Sequence, residues 1–297
     1  MKKNKVFYLL SIIALILIAA YVVNSKDKLI YQFYKLFHDK KEWHEEICLS
    51  DYLLENEPRA IPCIKKNLSG ITFNQTTKTL FLITNSPERI HEISRSGVCL
   101  REINLNDFDD TEGLDYLFGN TYAIVQERRH SLHIVNIEKD ALEIGPLDSI
   151  NSITINFTHH NTHGFEGITY NKSNNAFYLV NEKKPLQLIK IQGLLENKNI
   201  TITLEPNVIR YDLFMDDFSD LHFDPITQHL LVLSHETRFL AEVTLEGKYI
   251  SFMELEKGYS GLMKDIPQAE GVAMDDARNI YIVSEPNLFY KFVRKSM

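Results

Sequence analysis

One unit recurs five times along this 297-residue chain. In its clearest copy, residues 163–190, a turn carrying Phe165, Glu166 and Gly167 leads into a strand at 168–170. A turn at 171–175, a second strand at 176–180 and a third at 186–190 follow. The same order is read in SGITFN, TLFLITNS and RIHEIS from Ser69, and in EGLDYL, TYAIVQE and SLHIVN from Glu112. It returns in SDLHFD, HLLVLSHE and FLAEVT from Ser219, and in EGVAMD, NIYIVSE and LFYKFV from Glu270. Counted at Gly70, Gly113, Gly167, Asp220 and Gly271 the intervals are 43, 54, 53 and 51 residues. Self-similarity at such a period marks a propeller or a solenoid.

Within each unit, short β-branched and aromatic runs are separated by Asn, Asp, Gly, Ser or Pro, as in antiparallel strands joined by tight turns. The clearest turns, at 74–78, 171–175, 224–228 and 275–278, all join the first strand of a unit to the second. Propeller blades are four-stranded sheets set radially around a channel. The final unit has only three strands, at 272–274, 280–283 and 288–293. Its outermost strand must be donated by residues 46–66, which would close the ring and remove exposed sheet edges. Five units with one shared blade predict an all-β, five-bladed β-propeller over residues 46–297. A six-bladed ring would need a cryptic blade within 142–162 or 193–214, segments that read instead as outer strands with long loops.

Ahead of the repeats, residues 6–23 are apolar except for Ser11. Eighteen residues at about 1.5 Å each reach about 27 Å, close to the ~30 Å hydrocarbon core of a bilayer. Residues 1–28 are therefore expected to form a cytoplasmic tail and a transmembrane helix, with Lys2, Lys3 and Lys5 holding the amino terminus inside. Ala19 and Ala20 are followed by Tyr21, Val22 and Val23, which suits an uncleaved anchor better than a signal-peptide exit. Residues 29–45 read as a juxtamembrane linker whose Tyr31, Phe33, Tyr34, Phe37 and Trp43 could sit at the interface. Without the first 28 residues the chain keeps 27 basic against 39 acidic groups. So acidic a body repels nucleic acid and concentrates cations. The three cysteines, Cys48, Cys63 and Cys99, suit neither a zinc site nor a disulfide-rich scaffold. A Cys48–Cys63 bridge is one option, and three separate semi-buried thiols the simpler expectation.

Aligning the units lines up two acidic positions. Before the turn glycine stand Ser69, Glu112, Glu166, Ser219 and Glu270; ending the second strand stand Ser86, Glu127, Glu182, His235 or Glu236, and Glu285. In a closed ring these positions converge on one mouth of the channel. Crowded carboxylates raise one another's pKa unless protons or a cation compensate, and calcium is the hard cation suited to many oxygen ligands. Glu112, Glu166 and Glu270 are the first-choice metal ligands, with Glu127, Glu182 and Glu285 behind them. The alternative is that these glutamates accept backbone N–H groups of neighbouring blades and lock the ring without metal. Asn85 and Asn181 could add amide oxygens or simply form turns. His159, His160 and His163 read as a solvated loop, and Arg128, Arg129 and His130 as a surface turn. Gly258, Tyr259, Ser260 and Gly261 lack the spacing of a nucleophile elbow.

Four longer strings carry a family resemblance: IKKNLSGITF (64–73), GFEGITYN (164–171), LLVLSHETRFLAEVTLEG (230–247) and QAEGVAMDDARNIYIVSEPNLFYKF (268–292). Through them, from about Tyr52 to the end, the chain resembles the SdiA-regulated, YjiK-like family. The resemblance implies a five-bladed propeller distantly related to NHL-repeat proteins, held outside the cytoplasmic membrane, with calcium built into it and no established activity. Asp220 departs from the repeat, which wants glycine there. The expected protein is thus a single-pass inner-membrane protein with a periplasmic propeller that binds calcium and an unidentified envelope partner or small ligand. The rival expectation is a calcium-dependent hydrolase of the lactonase or esterase type, with His235 as the base to test.

Overall fold

The computed structural model describes residues 45–155, 164–183, 185–205 and 215–295. The expected anchor at 6–23, the linker before Glu45 and the histidines at 159, 160 and 163 lie outside the described residues. Among the described residues, no helix is long and apolar enough to cross a membrane.

Five sheets build a five-bladed β-propeller, antiparallel except where the short strand Glu143–Ile144 runs parallel along the rim of blade one, beside Cys99–Leu105. Its inner strands are Leu68–Asn74, Thr111–Phe118, Phe165–Asn171, Asp220–Asp224 and Gln268–Met274. Each pairs with a second strand, in order Thr79–Asn85, Thr121–Gln126, Ala176–Asn181, His229–Ser234 and Ile280–Glu285. The second strands are almost wholly buried, because neighbouring blades cover both of their faces, and they accordingly read as near-continuous apolar runs. Burial fades toward the rim. Ser149–Thr154, the outer strand of the second blade, alternates between exposed and half-buried, and Thr201–Leu204, the outer strand of the third, is exposed throughout. The described parts of the stretches that could have hidden a sixth blade, 142–155 and 193–205, thus hold outer strands of existing blades.

The fifth blade takes its fourth strand from the start of the ring: Tyr52–Leu54 lies antiparallel against Leu288–Arg294, with Tyr52 opposite Arg294 and Leu54 opposite Phe292. Arg59–Ala60 pairs with the same strand further along. Buried Glu242 on the fourth blade fixes the approach, accepting the Ile47 N–H at 2.8 Å and the Ser251 hydroxyl at 2.5 Å, with His229 Nδ1 at 2.7 Å.

Two further bonds secure the seam between blades five and one. Arg59 donates to the Ser96 carbonyl at 3.0 Å, and Cys63 is joined to Cys99 by a disulfide. This corrects the sequence expectation for the cysteines. Cys63 lies just past the closing strand and Cys99 opens the outer strand of blade one, so the bridge ties the donated segment to that blade, whereas Cys48 stands outside the bridge, buried against blade four with its N–H 3.3 Å from Glu242.

The turn glycines show why the blades fit. A Cβ on Gly70 would lie 2.8 Å from the Glu112 carbonyl oxygen, one on Gly113 2.6 Å from that of Glu166, and one on Gly271 2.9 Å from the Ile71 nitrogen. Each glycine therefore lets the next inner strand approach, and the last of these contacts closes the circle onto blade one. Asp220 breaks this pattern because its carboxylate does another job: it accepts the Val272 N–H of blade five at 2.8 Å. Asp115 plays the corresponding part between the first three blades. Its two oxygens accept the Thr72 hydroxyl at 2.8 Å, the Tyr116 N–H at 2.9 Å, the Tyr170 N–H at 2.7 Å and the Thr169 hydroxyl at 3.3 Å. Thr169 in turn accepts the Phe223 N–H of blade four at 2.9 Å. A belt of buried polar side chains thus satisfies inner-strand N–H groups that have no sheet partner.

Candidate metal centre at the channel mouth

Glu112, Glu166 and Glu270 stand at the start of their inner strands, where the pairing register slips: between Thr111 and Gly113, between Phe165 and Ile168, and between Ala269 and Gly271. Such a bulge adds a residue to one strand and re-aims its side chain. Blade four, with Asp220 directly opposite Leu233, has no bulge and carries Ser219 at the matching place. Blade one slips in the same way, between Leu68 and Gly70, and carries Ser69 there, so the bulge aims this position in four blades and the residue type decides which of them are acidic.

The rotational equivalence expected of the repeats holds. Burial raises the Glu166 carboxyl well above its ordinary value, and the charges of Glu112, Glu127, Glu182 and Glu270 add to the rise. Glu112 is pushed up to about 8 by burial, with Asp110 and Glu127 adding to it against hydrogen bonds from Asn85 and Ser69. Glu127 rises to about 6, chiefly through burial and then its contact with Asp110. Glu270 reaches about 7, again chiefly by burial, with Glu285 and Asp217 raising it and His235 opposing. Glu285 acts on Glu270, whereas the largest contributions at Glu166 and Glu112 come from other residues. Among the described residues, none of Glu112, Glu166 and Glu270 is ion-paired with a lysine or arginine; Glu182 has exposed Lys183 at 3.2 Å.

Two residues belong here that the repeat alignment did not single out. Asp110 offers an oxygen within 4.8 Å of those of Glu112 and Glu127, forming a three-carboxylate group. Its equivalent in blade four, Asp217, is buried and accepts the Ser234 hydroxyl and the Glu236 N–H, and lies 3.2 Å from His235 Nδ1. The hydrogen bond that His235 donates to Asp217 is the main reason its pKa is raised. Both aspartates lie two residues before the aligned inner position, so one more column would have exposed them: Asn67, Asp110, Gly164, Asp217 and Gln268. Gly164 is needed because a Cβ there would meet the Glu127 side chain at 2.1 Å, and its N–H donates to that carboxylate.

Of the metal-free lock expected as the alternative, the Gly164 N–H of blade three on Glu127 is one instance, and Glu112 and Glu270 are held otherwise. Side-chain amides and a hydroxyl, from Asn85, Ser69 and Gln268, reach Glu112 and Glu270, while further backbone N–H groups of neighbouring blades go to Asp115 and Asp220. Asn85 turns its amide nitrogen to Glu112 at 2.6 Å. Asn181 closes its own turn, donating to the Lys183 and Pro185 carbonyls and accepting from Gln187. Arg128 lies 3.0 Å from Asp110 and is largely exposed.

Solved structures of low identity share this architecture. Glutaminyl cyclase of Myxococcus xanthus is 10% identical, with 82% of this chain and 95% of that one covered at a TM-score of 0.54. A streptogramin B lyase is 8% identical, with 84% and 99% covered at 0.50. A luciferin-regenerating enzyme is 10% identical, with 80% and 94% covered at 0.50. At these identities the likeness is one of fold alone, since one propeller scaffold hosts unrelated chemistries. The family model for SdiA-regulated proteins matches residues 44–293, the whole propeller, and the chain belongs to that family.

Proposed function

We propose that this chain is a membrane-anchored, extracytoplasmic propeller that binds calcium at the glutamate mouth and serves as a ligand- or partner-binding module of the cell envelope. The observation that carries this reading is the convergence of Glu112, Glu127, Glu166, Glu182 and Glu270, with no lysine or arginine paired to the three inner ones among the described residues. So many desolvated carboxylates stay ionised only beside a cation. The donor set is all oxygen, which suits a hard ion taking about six to eight ligands at roughly 2.3–2.6 Å. Two oxygens on opposite sides of such an ion lie about 5 Å apart, matching the 4.8 Å spread of Asp110, Glu112 and Glu127. Those three residues with Glu166 would hold the ion, Glu182 and Glu270 would complete its surroundings, and Glu285 would act from outside.

Residues 6–23 supply the anchor. The Cys63–Cys99 bridge supports an oxidising compartment, because such bonds persist outside the cytoplasm and are rare within it. Melting the full-length chain in calcium and in chelator tests the metal, since an ion bound only by the folded state stabilises it by mass action. No change in melting temperature at millimolar calcium, together with no heat of binding, would sink the reading.

One observation favours a second function, a calcium-dependent hydrolase. Buried Asp217 fixes the Nδ1 side of His235 and leaves Nε2 for proton transfer beside Glu270. Calcium there would polarise an ester or lactone carbonyl. Turnover of lactones or aryl esters that His235→Gln abolishes while calcium binding survives would establish the enzyme. Turnover no faster than buffer across such a panel would leave the binding module.

A further inference from the structure

The opposite end of the channel holds a cavity of about 410 Å³, within the ~300–1,000 Å³ range of small-molecule sites. Its waist is built from one rotational position, three residues after the turn residue, which places Phe73, Tyr116, Tyr170, Phe223 and Met274 around the axis. The two tyrosine hydroxyls are anchored away from the axis, Tyr116 on the Thr76 hydroxyl at 2.7 Å and Tyr170 on Asn175 at 2.9 Å. The collar therefore offers apolar ring surface rather than hydroxyl groups.

Charge is accounted for around the cavity's aspartates. Asp224 is paired with Arg278 through two bonds of 3.1 and 3.0 Å. Asp275 has Arg95 at 3.2 Å, and Asp276 has Arg95 at 2.6 Å and Lys78 at 2.7 Å. Asp115 already accepts its four hydrogen bonds. A cationic ligand would find each of these carboxylates occupied and would have to break a pair to be compensated, and an anionic one would meet Lys172, which lines the cavity from the turn after Asn171 but is exposed to water, where an ion pair is worth little.

Inside the collar, at the position of Thr72, Asp115 and Thr169, stands His222. Neither of its ring nitrogens has a protein hydrogen-bond partner among the described residues, whereas Thr72, Asp115 and Thr169 are satisfied by one another and by backbone. Burial lowers its pKa to about 4, so the ring is neutral and offers one donor and one acceptor.

We propose that this cavity binds a small uncharged aromatic ligand, its flat ring within the collar and a single polar edge hydrogen-bonded to His222. The site is separate from the glutamate mouth and does not depend on calcium there.

The probe is p-cresol, a flat ring with one hydroxyl, titrated into the full-length chain while the histidine ring resonances are followed by NMR. Saturable binding that moves the His222 signal is expected, with benzoate and benzylammonium binding at least about tenfold more weakly because each brings an uncompensated charge. His222→Phe keeps a ring of similar size and removes the hydrogen bond, which should weaken p-cresol about three- to tenfold. Binding of the charged analogues as tightly as p-cresol, or p-cresol affinity unchanged in His222→Phe, overturns the proposal. Should that variant fail to fold, crystals of the wild-type chain soaked in p-cresol decide: density in the collar against His222 supports it, and an empty cavity at saturating probe overturns it.

Discussion

At both ends of the channel, acidic side chains are brought together by the rotation of the blades, but they keep different company. At the far end, Asp224, Asp275 and Asp276 are each matched to Arg278, Arg95 or Lys78. At the near end, Glu112, Glu166 and Glu270 face one another and other carboxylates, and like charge raises what burial has already raised. A cluster with its counterions built in is complete as the chain folds it. A cluster without them costs stability unless something else supplies positive charge, and this asymmetry, more than the number of acids, is what supports the proposed metal centre.

The comparison breaks most visibly if a counterion is removed where one exists. Arg278→Met should leave Asp224 buried and unpaired and cost about 3–5 kcal/mol in denaturant unfolding; a loss below about 1 kcal/mol would mean the far end is not charge-locked. At the near end the largest effect should come from calcium itself, roughly 2.7 kcal/mol at a hundredfold excess over its dissociation constant. Glu166→Gln sharpens the contrast because its sign should invert: higher melting temperature than wild type in chelator, where repulsion is relieved, and calcium affinity about tenfold or more weaker. A variant that destabilises equally in both conditions would place Glu166 outside the metal centre.

Acid should separate the two ends as well. The ordinary glutamate value is 4.5, and the folded values of Glu112 and Glu270 are raised to about 8 and about 7. A raised carboxyl contributes stability that is full below the unfolded value and is lost as pH climbs through the folded one. Chelated protein should therefore melt at progressively lower temperature from about pH 5 to about pH 8, and calcium should flatten or reverse that slope. A chelated profile that is flat over this range contradicts the convergence of the glutamates. The smallest effect is expected from Arg128→Gln: the pair with Asp110 is largely exposed, so stability should change by less than about 1 kcal/mol, while calcium affinity rises as a competing cation leaves Asp110.

The ring was legible because its information is repeated. Five copies of one strand pattern, and a last copy short of a strand, are enough to number the blades and name the donor of Tyr52–Leu54. The glutamate mouth was legible for the same reason, as equivalent positions must face one axis. What escaped was whatever the repeated residue types do not carry by themselves. The bulges that aim Glu112, Glu166 and Glu270 are a matter of register, which no residue type announces. Asp217 and Asp110 occupy one column but differ in partner, His235 in one blade and Glu127 in the other. Cys99 meets Cys63 because the segment between the donated strand and blade one passes the outer strand of that blade, and the repeat gives no sign of it. Asp115 looks like an ordinary strand residue until three blades are seen to donate to it.

Donating Tyr52–Leu54 to a sheet completed by Leu288–Arg294 also sets the order in which the chain can mature. The first strand to emerge from the ribosome waits for the last, across nearly the full length of the ring, and pairings so distant in sequence form slowly. Until then the second strands of blades one and five, with Leu80, Leu82, Ile280 and Ile282 buried in the finished protein, lack part of their cover and invite aggregation. A chain built this way gains from being held unfolded until synthesis ends, because the last pairing is made by strand hydrogen bonds, while the Cys63–Cys99 bridge ties the donated segment to blade one.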